Sequence, residues 1–314
     1  MTDSQPLVTI ITPTYNQADY LPETIDSILN QDYPNLEYIV LDDGSSDHTV
    51  EVLKQYEGRI KWESHENMGE ARPVNKGWSM AQGEIVASVS SDDPVLPGLV
   101  AAAVTVLQAD PELRVVYPDW VMIDAQSNPI QTLTTYNYDF IDMLRWHHCF
   151  PGPGTFIRKS AFEREGMRDP QYRYVSDFDL WLRLGIHGPF ARIPRTLAQY
   201  RHHAGSASNA KKGKLMAEEH IRMMDNFFAR PDLSPAMLRV RAEAYSAASY
   251  IAAVQVMADR GAARNYFLRS ILMHPNSYPN GLPRDWSLML KTMLPDPVYN
   301  LGKSMWQRAR SNPA

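Results

Sequence analysis

The stretch LVTIITPTYNQADYLPETIDSILNQDYPNLEYIVLDD, residues 7–43, decides the fold of this chain. It opens on a β-branched run, LVTIIT (7–12), and closes on a second apolar run, LEYIVLDD (36–43). Between them, residues 16–31 put Leu21, Ile25, Ile28 and Leu29 on one helical face. Both runs are nearly all apolar, as strands covered on both sheet faces are. Strand, amphipathic helix and buried strand together predict a right-handed crossover in a mainly parallel sheet.

The alternation continues. A helix is expected over 46–56, with Ser46 and Asp47 as N-caps, then a strand at 59–64, a helix over 70–81 and a fourth strand, EIVASVS, at 84–90. The middle is less regular. RVVYPDWVMID (114–124) reads as a strand, HHCFPGPGTFIRKS (147–160) as a Pro/Gly-rich entry to a strand, SDFDLWLRLGIHG (176–188) as a helix, and TLAQYRHHAGSASN (196–209) as a strand running into a loop. From about 210 the composition turns Ala- and Met-rich, and 211–274 reads as three helices. Residues 242–276 have the look of one tetratricopeptide-type hairpin. One hairpin is not a repeat array, and ordinary helical packing is expected.

Composition narrows the function. Of 314 residues, 44% are hydrophobic and 21% charged, the balance of a globular protein with a sizeable core. The net charge of −5 offers no general attraction to nucleic acid. The single cysteine, Cys149, excludes an internal disulfide and a cysteine-rich zinc site. The first residues, MTDSQPLVTI, lack the basic start and apolar core of a signal peptide. The longest apolar stretch, LVAAAVTVL (99–107), falls well short of the ~20 residues that span a bilayer. A cytoplasmic setting is expected.

In open α/β sheets, ligands bind beyond the carboxyl ends of the strands. Three polar clusters fall at such ends: TPTYN after the first strand, DDGSSD after the second and SSDDP after the fourth. TPTYNQ contains no glycine, which argues against a dinucleotide fingerprint or a P-loop. A strand-to-helix turn accounts for Gly44, Ser45 and Ser46 but not for the pair Asp42 and Asp43; a carboxylate there can bond a nucleobase or ribose. Asp92 and Asp93 form a second pair where a helix cap needs one acid. Mg²⁺ or Mn²⁺ takes one or two carboxylates plus substrate phosphates, and would relieve the repulsion between neighbouring acids. Asp177, in the first turn of its helix, suits a general base and a helix cap equally. His202 and His203, before a Gly/Ser loop, offer a metal or phosphate contact.

Taken in order, these segments resemble the family 2 glycosyltransferases, inverting enzymes with the GT-A fold. The ordered set is VTIITPTYNQADYLPETIDSILNQDYPNLEYIVLDDGSSDHT, NMGEARPVNKGWSMAQGEIVASVSSDD, GPGTFIRKSAFEREGM, SDFDLWLRL and YRHHAGSAS, covering about residues 6–209. The resemblance implies an α/β GT-A domain, a Rossmann-like mixed sheet, over 1–210. Its nucleotide-sugar half would be about 1–110 and its acceptor half about 111–210, with a C-terminal helical extension over 211–314. It implies a nucleotide-sugar donor, with UDP the family's default, and a glycan or lipid-linked acceptor. Pro13 and Tyr15 would line the base and Asp43 would bond it. Arg72 would hold phosphate, and Ser91 and Asp92 would sit near the ribose and sugar. Asp93 and His203 would ligate Mn²⁺ or Mg²⁺, and Asp177 would be the base. The chain departs from the family at Ser90 and Ser176, where relatives commonly carry acids, and at Pro73. Two rival readings are a sugar-phosphate nucleotidyltransferase, which would normally carry a glycine-rich basic loop near the first strand, and a non-catalytic nucleotide-sugar-binding relative.

The tail, 285–314, groups Trp286, Met289, Leu290 and Met293, then Leu301, Met305 and Trp306, with Lys291, Lys303, Arg308 and Arg310 interspersed. It reads either as a helix packed on the protein or as an interfacial segment, about 285–310, resting on an anionic bilayer.

Overall fold

The structure is a computed structural model that describes residues 5–203, 205 and 213–294. The chain divides into two compact units. One comprises residues 1–140 and 149–210, the other 141–148 and 211–314.

The first unit is built on an eight-stranded mixed sheet. In chain order it runs β1 (Val8–Thr14), α1 (Leu21–Leu29), β2 (Leu36–Asp42), α2 (Thr49–Gln55), β3 (Lys61–Ser64), α3 (Ala71–Met80), β4 (Ile85–Ser88) and α4 (Leu99–Ala109). Then come β5 (Val115–Ile123), β6 (Pro129–Leu133), α5 (Phe140–Arg145, which passes into the second unit), β7 (Phe156–Arg158), α6 (Phe162–Glu165), α7 (Ser176–Gly185) and β8 (Phe190–Arg201). The sheet order is β3-β2-β1-β4-β7-β5-β6, with β8 on β5. Strands β1 to β4 are parallel, β7 is antiparallel to both β4 and β5, and β8 runs parallel to β5. The order reverses at β1, which lies between β2 and β4, so a crevice opens at the carboxyl ends of β1 and β4.

The strand pleat sorts the core. Val8, Ile10 and Val40 pack with Leu21, Ile25 and Ile28 of α1, Leu53 of α2 and Leu99 and Val104 of α4. Ile11 points to the other face, where α3 packs so closely that a Cβ on Gly77 would lie 2.5 Å from the Ile11 side chain. Each fully buried Leu or Ile contributes about 1.5–3 kcal/mol relative to exposure.

Helix starts differ from the sequence expectation for a local reason. Residues 16–20 precede α1 as a turn, with Asn16 at φ +51°. The Asn16 Oδ1 accepts the Ser46 N–H at 2.7 Å. Helix α2 begins at Thr49 rather than at 46, because Asp47 accepts the Thr49 N–H and hydroxyl and the Ala18 N–H from outside the helix. The hairpin strand β6 is absent from the sequence reading: four of its five residues are exposed, and PIQTL shows no regular apolar alternation.

The second unit is helical: the 141–145 part of α5, then α8 (Gly213–Phe228), α9 (Pro235–Arg239), α10 (Arg241–Gln255), α11 (Arg260–Met273) and α12 (Trp286–Met293). The expected three helices of 211–274 are four among the described residues, the short α9 following the ARPDLSP break. Small residues, Ala252, Ala253 and Ala263, let α10 and α11 approach around Tyr250 and Phe267. In the tail, Met289 of α12 packs into this core while Trp286 and Leu290 are exposed. Residues 295–314, the greater part of the expected interfacial segment, lie outside the described residues. Among the described residues no helix is long and apolar enough to cross a membrane.

Candidate active site

The ends of β1 and β2 are tied together first. The Asp43 N–H donates to the Thr14 carbonyl at 2.9 Å, and the Asn16 N–H donates to Ser45 Oγ at 2.8 Å. Pro13 and Tyr15 sit at this junction, with Tyr15 half exposed. The two acids then part company. Asp42 is fully buried and accepts the Ser64 hydroxyl at 2.6 Å and the Ser45 N–H at 3.2 Å, joining β2 to β3. Asp43 accepts the N–H groups of Met68 and Gly69 at 2.7 and 3.2 Å, with His65 Nδ1 3.4 Å away. Gly69 has φ +83°, a conformation that favours glycine. Asp43 therefore fixes the loop that launches α3, whose first turn carries the exposed Arg72.

The second acid pair is set by β8. After β4 the chain runs antiparallel to β8: the Gln199 N–H donates to the Pro94 carbonyl and the Leu96 N–H to the Leu197 carbonyl. Residues Ser90 to Asp93 make a turn, closed by the Asp93 N–H on the Ser90 carbonyl at 3.1 Å, and the turn sends the two carboxylates different ways. Asp93 turns inward, and its Oδ1 accepts the Arg201 N–H at 2.8 Å. Burial first, and the Asp92 charge second, push the Asp93 carboxyl well above the usual carboxylate range. Asp92 points to the crevice, where its Oδ2 faces His203 Nε2 at 3.0 Å. The His203 ring also lies against Tyr20, with centroids 4.6 Å apart. Ser91 is buried, and its carbonyl accepts the Thr24 hydroxyl, anchoring the turn to α1.

Arg201, only 1% exposed, organises this corner and was passed over in the sequence. Its Nε donates to the Asp92 carbonyl at 2.8 Å, its Nη1 to the Asp124 carbonyl and Ser127 Oγ, and its Nη2 to Glu23 Oε2 at 2.6 Å. Its guanidinium also lies over Tyr20, 4.9 Å from the ring centroid. Arg201 stands two places before His203 in YRHHAGSAS, and an arginine closing an apolar strand is the one local signal.

Asp177 comes from a third direction. The two acids of SDFD divide their tasks. Asp179 pairs with Arg183 at 2.8 Å, and Arg183 in turn donates to the Glu165 and Met167 carbonyls. Asp177 is half-buried, with its Oδ1 on the Phe178 N–H. It lies beside Cys149, whose thiol is pushed well up by burial and then by the Asp177 charge. Cys149 leads into the PGPG loop, which packs on β5 and β8: a Cβ on Gly154 (φ +75°) would meet Ala198 at 2.8 Å, and one on Gly152 would meet the Trp120 indole at 3.1 Å. The structure thus brings Asp92 and His203 into contact and sets Asp177 beside Cys149, where the PGPG loop begins. Ser176, beside it, is buried.

Residues 9–166 match the profile of glycosyl transferase family 2. The chain belongs to that family and is a glycosyltransferase. An uncharacterized glycosyltransferase of Rickettsia prowazekii is 29% identical over 232 residues, 72% of each chain. A putative teichuronic acid biosynthesis glycosyltransferase, TuaG of Bacillus subtilis, is 45% identical over 98 residues, 30% of this chain and 38% of the relative. Among solved structures, residues 1–349 of S. aureus TarS in complex with UDP-GlcNAc superpose with a TM-score of 0.62 at 15% identity, covering 87% of this chain and 90% of that one. The mannosyltransferase PcManGT of Pyrobaculum calidifontis, in complex with GDP-Man and Mn²⁺, gives 0.60 at 20% identity, with 97% and 88% covered. The fold of the glycosyltransferase is GT-A, with C-terminal helices.

Proposed function

We propose that this glycosyltransferase moves a sugar from a nucleotide-diphosphate sugar to an acceptor hydroxyl in cell-surface glycan synthesis, with inversion at the anomeric carbon. The Asp92–His203 contact at the reversal of strand order carries the reading. Pro13 and Tyr15 line the base, the Asp43 loop holds the nucleoside end, and Arg72 reaches the phosphates. A UDP-sugar is the first donor to test, since the TarS complex holds UDP-GlcNAc. The teichuronic acid relative supports a polysaccharide acceptor.

The donor set fits a divalent cation, but through Asp92 rather than the Asp93 that the resemblance favours. Asp93 is buried and spends its Oδ1 on the Arg201 N–H. Asp92 and His203 offer one carboxylate and one imidazole 3.0 Å apart. These two side chains would hold the cation, with substrate phosphates completing its oxygen ligands. When bound, the cation offsets the negative charge of the departing diphosphate. The chain's own residues do the rest. Asp177 takes the acceptor's hydroxyl proton, and the oxygen attacks the anomeric carbon from the face opposite the diphosphate. Arg72 neutralises the phosphates, and the Arg201 network keeps Asp92 from shifting. Incubating the protein with UDP-GlcNAc and GDP-Man, with Mn²⁺ or with chelator, and measuring release of free nucleoside diphosphate tests the reading. No release with any nucleotide-sugar across a broad screen would sink it.

A further inference from the structure

The helical unit carries a cleft of about 570 Å³ that the transfer reaction does not use. Arg239 ends α9, Arg241 opens α10 and Arg269 lies on α11, and all three line it. Tyr245 forms its floor: the Arg241 guanidinium lies 5.6 Å and that of Arg269 5.9 Å from the ring centroid. Arg241 also lies 5.5 Å from the Phe228 ring. Arg241 spends a donor on the Tyr245 hydroxyl, but a guanidinium set over an aromatic can still offer its other N–H groups to an anion. Asp225 is the one acid in the lining, and its Oδ1 already accepts the Tyr245 hydroxyl at 2.7 Å. No ion pair joins any of the three arginines to a carboxylate among the described residues. Two positive charges are therefore left over in one cleft, on a chain whose net charge is −5. Like charges gathered without a counter-ion repel, and the arrangement is relieved when an anion enters.

Size and lining narrow the occupant. The volume is that of a small-molecule site, roughly 300–1,000 Å³. The surplus charge matches a dianionic phosphate, which arginine forks grip in a bidentate manner. Leu238 and Met273 line the same cleft, and both are exposed; Leu272, next in sequence to Met273, is 85% exposed. The site thus joins a cationic floor to an apolar rim. We propose that the Arg239–Arg241–Arg269 cleft is a second binding site, for a phosphate group on an organic body. The shared chemistry is the phosphate; its source is a soluble phosphorylated glycan or a lipid headgroup.

The test uses the full chain in the presence of chelator, so that a metal-dependent donor site does not contribute. One arm titrates sodium pyrophosphate by calorimetry. The other sediments the protein with phosphatidylcholine vesicles with and without phosphatidylglycerol. Arg239→Gln with Arg269→Gln should weaken binding tenfold or more, since a hydrogen bond to a charged group contributes about 1.5–3 kcal/mol. Arg264→Gln, on the exposed side of α11 and outside the cleft, should leave binding unchanged. Melting temperature and donor turnover should not change in the double variant. Loss in the pyrophosphate arm identifies a soluble phosphate, and loss confined to the phosphatidylglycerol arm a headgroup. Absence of binding by the wild type in both arms overturns the proposal. So does a double variant that binds like wild type, or an equal loss in Arg264→Gln.

Discussion

The Asp92 carboxylate and the His203 imidazole meet at 3.0 Å although 111 positions separate them in the chain. Nothing local brings them together. The segment after β4 pairs with β8, and Arg201 locks the join by bonding the Asp92 carbonyl and receiving Asp93 on its own N–H. A metal shared by Asp92 and His203 makes a distinct prediction about the two neighbouring acids. Asp92→Ala and His203→Ala should each lower Mn²⁺-dependent affinity for UDP, by roughly 10- to 100-fold. Asp93→Asn should leave the Mn²⁺ dependence in place. Calorimetric titration of UDP with and without Mn²⁺ checks this, and the reverse pattern would return the metal to Asp93.

Asp177→Asn keeps the shape of the side chain and removes its basicity. Transfer should fall by about 10²–10⁴-fold, the usual contribution of a general base, while donor affinity stays near that of the wild type. A variant with full transfer activity would make Asp177 a helix cap only.

Asp93 gives a pH prediction. Its carboxyl is raised in the folded protein, by burial and then by the Asp92 charge, so folding favours the protonated acid. The stability it lends is complete below the unfolded carboxylate pKa, about 3.9, and is lost as pH rises toward the folded value. Asp93→Asn stays neutral throughout. The melting temperature of the variant minus that of the wild type, measured without metal, should therefore grow more positive from pH 4 to pH 8. A difference that stays flat across this range would show that the burial of Asp93 carries no such penalty.

What was legible in the sequence was whatever repeats locally. Apolar strands β1, β2 and β4 and the Leu21–Ile25–Ile28 face of α1 follow from period and propensity. The polar strand ends followed from the parallel topology. Which acid of each pair faces the crevice did not. In SSDD, Asp93 turns in to tie strands while Asp92 faces the crevice; in DDGSSD both acids are buried, Asp42 tying β2 to β3 and Asp43 holding the loop before α3. The partners that fix each acid, β3 and the loop before α3 in the first case and β8 in the second, are ones that the local pattern does not name. Arg201 was hidden for the same reason: its acceptors come from the ends of β4 and β5, from α1 and from the turn before β6.

The Arg201 hub should be hard to replace even by lysine. Its guanidinium serves two carbonyls, a hydroxyl and a carboxylate at once, and a lysine has one nitrogen to offer. A buried carbonyl left without a donor costs about 1–3 kcal/mol, so Arg201→Lys should destabilise the fold by about 2–4 kcal/mol in denaturant unfolding. Glu23 is nearly half exposed on its side chain, so its loss of a partner adds little. The substitution should also free the 124–128 turn, where Ser127 sits at φ +65° and donates to Glu23. Faster hydrogen exchange at Gln126 and Asn128, with Mn²⁺-dependent UDP affinity falling alongside, is the expected signature. Unchanged exchange in that turn with normal UDP affinity would reduce Arg201 to a packing role. The Glu23→Gln variant separates the two readings: it keeps the packing, removes the carboxylate charge that Nη2 faces, and should move exchange in the same direction by a smaller amount.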